Sequence, residues 1–327
     1  MTNALAARPT AVALGIFDGV HIGHRAVLKE AANSGALEPW VFTFSEESIS
    51  KAKRGAVRLE PPCVKFNIMK SCGIAHVYAP DFDEVKGLSG EEFVRKVLVE
   101  HLKCRKVVCG TDFRFGERAA CGAEDMKRLC EKLEQLMELG GTKKDIALLV
   151  MECAVIEKLY DGGEAISSTR IREAAAKGDM QTVERLCGYP FCIENTVVAG
   201  EHLGREYGLP TINQGFGGGY VIPKYGVYVS AAYVDGKFYP AVTNVGVKPT
   251  VSEENALGAE TNLIGFAGNL YGKKVFVFLL SFVRPEMKFE SREALFARIA
   301  FDRDNAKSAA ESWISSSGAK TAELMGI

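Results

Sequence analysis

In the first half of the chain, short apolar runs alternate with amphipathic stretches. Runs at 10–16, 40–44, 75–78, 106–109 and 147–151 predict strands, and apolar positions three and four apart at 24–33, 90–102 and 124–139 predict helices. Strand, helix, strand at this spacing predicts a parallel sheet covered on both faces, because a parallel connection must cross over a sheet face. Ligands of such sheets sit at the carboxyl ends of the strands.

After about residue 187 the pattern changes. Runs at 191–199, 226–234, 238–245, 259–266 and 275–283 predict strands with turns rather than helices between them. Asp235-Gly236 between two such runs is a hairpin signal. The segment 290–309 is the one helical pattern expected here, and 215–219 is expected to be a flexible loop. The predicted architecture is α/β followed by β. An N-terminal Rossmann-like domain with a parallel sheet spans 1–187, and a small antiparallel Greek-key β-barrel with a helical tail spans 188–327.

Composition narrows the class. The chain of 327 residues has 47% apolar and 25% charged residues, which excludes disorder and fibrous repeats. Lys plus Arg (40) balances Asp plus Glu (41), so no basic field gathers nucleic acid and anion binding must be local. The longest apolar stretch, 275–283, is half of what a membrane helix needs, and the N-terminus lacks a basic signal-peptide region. Nine dispersed cysteines with no C-x-x-C pair are expected to be reduced thiols of a cytoplasmic protein.

Gly15-Ile-Phe-Asp-Gly-Val-His-Ile-Gly-His24 follows the first strand and opens the first helix. Glycines 15, 19 and 23 permit a tight turn, and the helix start offers N–H groups and a positive dipole end to an anion. His21 and His24 share one face of the first turn and suit charge developing on a phosphate, unless one merely caps the helix and the other packs. Ser167, Ser168 and Thr169 are expected to cap a helix beginning near Arg170, with Arg170 and Arg172 adding positive charge.

The turn resembles the signature of α/β nucleotidyltransferases, and more closely that of the bacterial bifunctional riboflavin kinase/FAD synthetases. Val108-Cys-Gly-Thr-Asp-Phe-Arg-Phe-Gly116 and Ile166-Ser-Ser-Thr-Arg-Ile-Arg172 resemble further motifs of that family, in family order. The resemblance implies that His21 and His24 act in adenylyl transfer, with Gly15, Phe17, Asp18, Gly23, Gly110, Asp112, Phe113, Ser167, Ser168, Thr169 and Arg172 around the nucleotide. Thr43-Phe-Ser-Glu-Glu-Ser48 stands where the family carries Thr-Phe-x-Pro-His-Pro, which keeps open a kinase whose first domain is weakened or inactive.

In the second half, Gly200-Glu-His-Leu-Gly-Arg-Glu-Tyr-Gly-Leu-Pro-Thr-Ile-Asn213 resembles the riboflavin kinase motif ending Pro-Thr-Ala-Asn. Thr211 and Asn213, two apart on an extended chain, point the same way and offer hard neutral oxygens suited to Mg²⁺ held by ATP. Gly258-Ala-Glu-Thr-Asn-Leu-Ile-Gly-Phe266 resembles the family strand whose Glu is the catalytic base, here Glu260. Gly200, Gly204, Arg205, Tyr271 and Gly272 are implied at the nucleotide, and Arg284, Glu286 and Phe289 at the flavin. Asn244-Val-Gly-Val-Lys-Pro-Thr250 completes the likeness.

The two halves therefore carry different chemical inventories. A ribityl hydroxyl is protonated at neutral pH and needs a carboxylate to take its proton. The FMN phosphate has a second pKa of about 6, arrives ionised, and needs only cations and donors. The expected substrates are riboflavin, FMN and ATP, with Mg²⁺ accompanying ATP.

Overall fold

A computed structural model describes residues 5–45, 47–48, 57–138, 151–198, 211–216, 219–247 and 257–327. The chain packs as two compact units, Met1–Ala56 with Lys65–Ile166, and Val57–Val64 with Ser167–Ile327. Residues 167–187 thus pack with the second unit; the Lys224 amide, for example, donates to the Ala175 carbonyl at 3.1 Å.

The first unit is a five-stranded parallel sheet of β1 (Thr10–Leu14), β2 (Glu38–Phe42), β3 (His76–Tyr78), β4 (Cys104–Gly110) and β5 (Glu152–Ile156), in the order β3-β2-β1-β4-β5. The chain steps outward from β1 through β2 to β3, then returns to the other side of β1. That reversal puts a topological switch point between β1 and β4, where such sheets bind ligands. Val12, Leu14, Trp40, Phe42 and Val107 form one buried face with Phe93, Leu98 and Met126. The helix Ile22–Ala32 buries Val27, Leu28 and Ala31 and packs on β1, β2 and β4.

Of the expected strand at 147–151 only Met151 is described. Residues 147–150 lie outside the described residues, Met151 is in no strand, and β5 begins at Glu152. β5 is a half-exposed edge strand. The short ribbon of β6 (Tyr160–Asp161) and β7 (Glu164–Ala165) follows. The helices Pro62–Ser71, Phe82–Val85 and Met180–Cys187 had no counterpart in the sequence pattern.

The second unit is a six-stranded antiparallel sheet of β8 (Phe191–Thr196), β9 (Thr211–Gly215), β10 (Gly226–Val234), β11 (Lys237–Val247), β12 (Leu257–Leu263) and β13 (Lys274–Arg284), in the order β8-β13-β10-β11-β12-β9. β10, β11 and β12 form a meander and β13 returns beside β10, which is a Greek key. The edges meet, with an antiparallel bridge between Val198 and Asn213 and Gln214 Nε2 donating to Asn195 O at 2.8 Å, so the sheet closes into a barrel. Asp235 (φ 47°) and Gly236 (φ 84°) both adopt the left-handed conformation that a two-residue hairpin turn demands. Of the expected loop at 215–219, residues 217–218 lie outside the described residues, and Gly215 ends β9.

The helical tail is longer than expected. The helix Arg292–Trp313 runs on through a π-helical turn, Ile314–Gly318, into Ala319–Met325. Through Ser315 and Ser316 the helix continues, and their hydroxyls donate to the carbonyls of Glu311 and Ser312, at 2.9 Å each. Trp313 packs on Phe238 and Phe278 and donates Nε1 to Glu184 at 2.8 Å.

Asp302 joins this tail to the barrel. Its carboxylate, 2% exposed, receives Arg284 of β13 at 2.8 Å and Arg298 at 3.0 Å. Asp302→Asn would leave the buried Arg284 guanidinium without its counter-charge and should destabilise the second unit by about 3–5 kcal/mol. Chemical denaturation in a Trp40→Phe background, where Trp313 is the remaining tryptophan, measures that unit alone. An unchanged midpoint would contradict the role.

Candidate active sites

In the first unit, parallel strands bring the loops after β1, β2 and β4 to one edge. The turn after β1 is built around Phe17, which is 1% exposed and holds a left-handed backbone (φ 50°). A Cβ on Gly15 would meet the Phe17 ring at 2.9 Å, and one on Gly23 would meet the His21 ring at 3.2 Å. These glycines therefore make room for the protein's own aromatic rings. Gly19 (φ 80°) supplies the turn itself.

His21 is the N-cap of the helix Ile22–Ala32, its Nδ1 accepting from the His24 amide at 3.2 Å. That bond fixes the tautomer of neutral His21, with the proton on Nε2 as a donor. The His24 ring stacks on His21 with centroids 3.6 Å apart and meets Phe17 edge-on at 5.4 Å. The two imidazoles thus form one rigid unit at the start of a helix. Asp18 is buried in the same turn.

Thr43 Oγ1 donates to the Ile16 carbonyl at 3.0 Å and binds the loop after β2 to this turn. Ser45 and Ser48 both donate to Asp81 Oδ1, the first at 2.9 Å, and the Phe82 amide donates to Ser48 Oγ at 3.0 Å. Ser45 and Ser48, the latter in place of the last proline of Pro-His-Pro, are therefore anchored on a helix start; Glu46 lies outside the described residues. After β4, Gly110, Asp112 and Phe113 make a tight turn closed by Phe113 N to Gly110 O at 3.0 Å, with Asp112 paired to Lys158 at 3.4 Å.

Ser167, Ser168, Thr169 and Arg172 belong to the second unit. The helix starts at Ser168, earlier than expected, because Ser167 caps it by accepting from the Arg170 amide at 3.3 Å. Arg172 Nε donates to the Val57 carbonyl at 2.8 Å.

On the barrel, register assembles the second site. Asn213 of β9 and Asn244 of β11 both stand opposite Glu260 of β12, and Thr211 stands opposite Asn262. Side chains alternate, so Thr211, Asn213, Asn244, Glu260 and Asn262 share one face. The other face carries a buried hydroxyl ladder, Ser230–Thr243 at 2.8 Å and Thr243–Thr261 at 2.9 Å. Thr211 Oγ1 donates to Glu260 Oε1 at 2.7 Å, and Asn213 is 6% exposed. The result is a compact set of oxygen donors around one carboxylate.

Glu286 reaches this row, accepting from Asn244 Nδ2 at 3.2 Å, and its carboxylate lies where a Cβ on Gly246 would be. Arg284 is engaged with Asp302, and its guanidinium lies 5.9 Å from the Phe289 ring centroid. The Tyr271–Gly272 turn is bound to the end of β8 through Gly272 N to Val197 O at 3.0 Å. Gly200, Gly204 and Arg205 lie outside the described residues.

The comparisons with known proteins follow the same division. Residues 4–170 match the FAD synthetase family model and residues 187–310 the riboflavin kinase model. Bifunctional riboflavin kinase/FMN adenylyltransferases from Listeria monocytogenes, Bacillus subtilis and Escherichia coli K12 are 30%, 31% and 33% identical, each over 90% of this chain and 90–91% of their own. The chain belongs to the bifunctional riboflavin kinase/FMN adenylyltransferase family.

A crystal structure described as a macrolide-efflux protein from Streptococcus pneumoniae is also similar, with TM-score 0.78 and 25% identity over 93% of this chain and 95% of that one. Among the described residues no helix is long and apolar enough to cross a membrane. Both family domains are present, so a kinase-only reading has no support from the comparisons. Within this family frame, the sequence reading left out three residues of the chain. Asn244 was visible in its motif but not placed beside Glu260. Asp81 and Asp302 carry no motif, and their partners lie 33 and 18 residues away.

Proposed function

We propose that the protein phosphorylates riboflavin with ATP to give FMN and adenylylates FMN with a second ATP to give FAD and pyrophosphate. The observation that carries this reading is Glu260, hydrogen-bonded to Thr211 at 2.7 Å and in register with Asn213. Glu260 accepts the proton of the ribityl 5′-hydroxyl as that oxygen attacks the terminal phosphoryl group. Thr211 holds the carboxylate in place by donating to it.

The Thr211 hydroxyl, the Asn213 amide oxygen and the Glu260 carboxylate form an all-oxygen set that suits a hard cation. Thr211 and Asn213 would hold Mg²⁺, which supplies charge neutralisation to the ATP phosphates. Gly200, Gly204, Arg205, Tyr271 and Gly272 complete the nucleotide site of this half, and Arg284, Glu286 and Phe289 the flavin side. Arg284 does so by anchoring the segment that carries Glu286, since its own guanidinium is bound to Asp302.

For FAD formation, His21 Nε2–H, His24 and the helix start neutralise the phosphates that are brought together. Gly15, Phe17, Asp18, Gly23, Gly110, Asp112 and Phe113 line that nucleotide, and Ser167, Ser168, Thr169 and Arg172 supply further hydroxyls and charge. The functional boundary is placed at 187/188. Nine free cysteines support a reducing cytoplasmic setting.

Incubating the protein with riboflavin, ATP and Mg²⁺ and separating the flavins by chromatography should yield FMN and then FAD. Neither flavin forming would overturn the whole reading, and FMN without FAD would overturn the adenylyl-transfer half. Gly246→Ala should push Glu286 off Asn244 and raise KM for riboflavin while leaving FAD formation from supplied FMN unchanged. An unaltered KM would remove Glu286 from the flavin site.

A further inference from the structure

The first unit holds a group of thiols that neither reaction uses. In the parallel β4–β5 register Val107 stands opposite Cys153 and Cys109 opposite Val155, so Cys109 and Cys153 share a face. The helix Ala123–Glu138 covers that face and sets Cys130 into the same cluster. Cys109, Cys130 and Cys153 pack against one another in the core of the first unit. Cys109 and Cys130 are buried, whereas Cys153, on the edge strand, is partly exposed. Among the described residues no group of three or more His, Cys, Asp or Glu is arranged to hold a metal ion.

We propose that this trio is an oxidative modification site, at which Cys153 reduces a hydroperoxide and Cys130 resolves the product to a disulfide. In the first step the Cys153 thiolate attacks the peroxide O–O bond. An S–O bond forms, the alkoxide or hydroxide leaves, and sulfur is oxidised to a sulfenic acid while the peroxide is reduced to alcohol or water. In the second step the Cys130 thiol displaces that hydroxyl, giving the S–S bond and one water.

Two features assign the roles. The neighbouring Cys109 and Cys130 thiols and the Lys127 cation hold the Cys153 thiol below its usual range, while the Cys153 sulfur and burial push Cys109 and Cys130 up. Cys153 is also the one of the three that is partly exposed, which places it nearest to an incoming peroxide. For the resolving partner, Cys109 is diagonal to Cys153 on an adjacent strand. A spacing of about 4.8 Å between strands and about 6.6 Å along them puts those Cα atoms roughly 8 Å apart, beyond the ~7 Å limit of a disulfide. Cys130 sits on a helix, free of that ladder.

The test treats the reduced full-length protein with hydrogen peroxide, with and without dimedone, and maps the tryptic peptides by mass spectrometry. The expected product is a Cys130–Cys153 disulfide, seen as the loss of two hydrogens from the joined peptides and reversed by dithiothreitol. Cys130→Ala should lose the disulfide and accumulate the dimedone adduct on Cys153. Cys153 remaining a free thiol while Cys63 or Cys121 reacts would overturn the site. A Cys109–Cys153 disulfide in the unmodified sequence would overturn the resolving role. Both readings come from the wild-type chain and do not depend on a variant folding.

Discussion

Glu260→Gln should lower the rate of FMN formation by about 10²–10⁴-fold, the usual range for loss of a general base. Gln keeps an oxygen that can still accept from Thr211, so the 2.7 Å bond survives and the variant tests proton transfer alone. FAD formation from supplied FMN should be unchanged, because that nucleophile arrives ionised and Glu260 lies on the barrel, in the second unit. Single-turnover rates with riboflavin, run beside an adenylylation assay, measure both. An FMN-forming rate within a fewfold of wild type would show that Glu260 is not the base.

Replacing the early imidazoles should produce the opposite pattern. His21→Ala and His24→Ala should each lower FAD formation by about 10²–10³-fold, the cost of one donor aimed at developing charge, with riboflavin phosphorylation retained. His21 also caps its helix, and that loss alone costs about 1 kcal/mol. His21→Asn separates the two roles, since Asn caps as well but offers no imidazole Nε2–H. Its melting temperature should match wild type while FAD formation stays low. Recovery of FAD formation in His21→Asn would reduce His21 to a capping residue.

The second domain's strands were largely legible in the sequence. The run at 226–234 matches β10 residue for residue, and Asp235-Gly236 gives the hairpin turn. The turn from Gly15 to His24 was legible for the same reason, since short-range geometry and residue type suffice. Legibility failed where a local pattern was weak or misleading. β5 is a half-exposed edge strand that the apolar pattern did not mark, and the helical tail runs on to Met325, past the pattern at 290–309.

Polar alternation along a strand tells which residues share a face, but not which strand lies alongside. Thr211 and Asn213 were paired by sequence because they are two residues apart. Glu260, 49 residues from Thr211, joined them through family resemblance, and it was the closing of β9 onto β12 that set the distance. The same holds for Arg284 on Asp302, Ser45 and Ser48 on Asp81, and the three thiols between the sheet and its covering helix. The amino-acid order by itself determined most of the strands, the turn at Asp235-Gly236 and the faces of the strands it marked, because these rest on interactions within a few residues. Only the tertiary structure decided which charges and thiols meet, because a hydrogen bond or ion pair forms at a few ångströms and distant residues come that close only when the sheets pair and the barrel shuts.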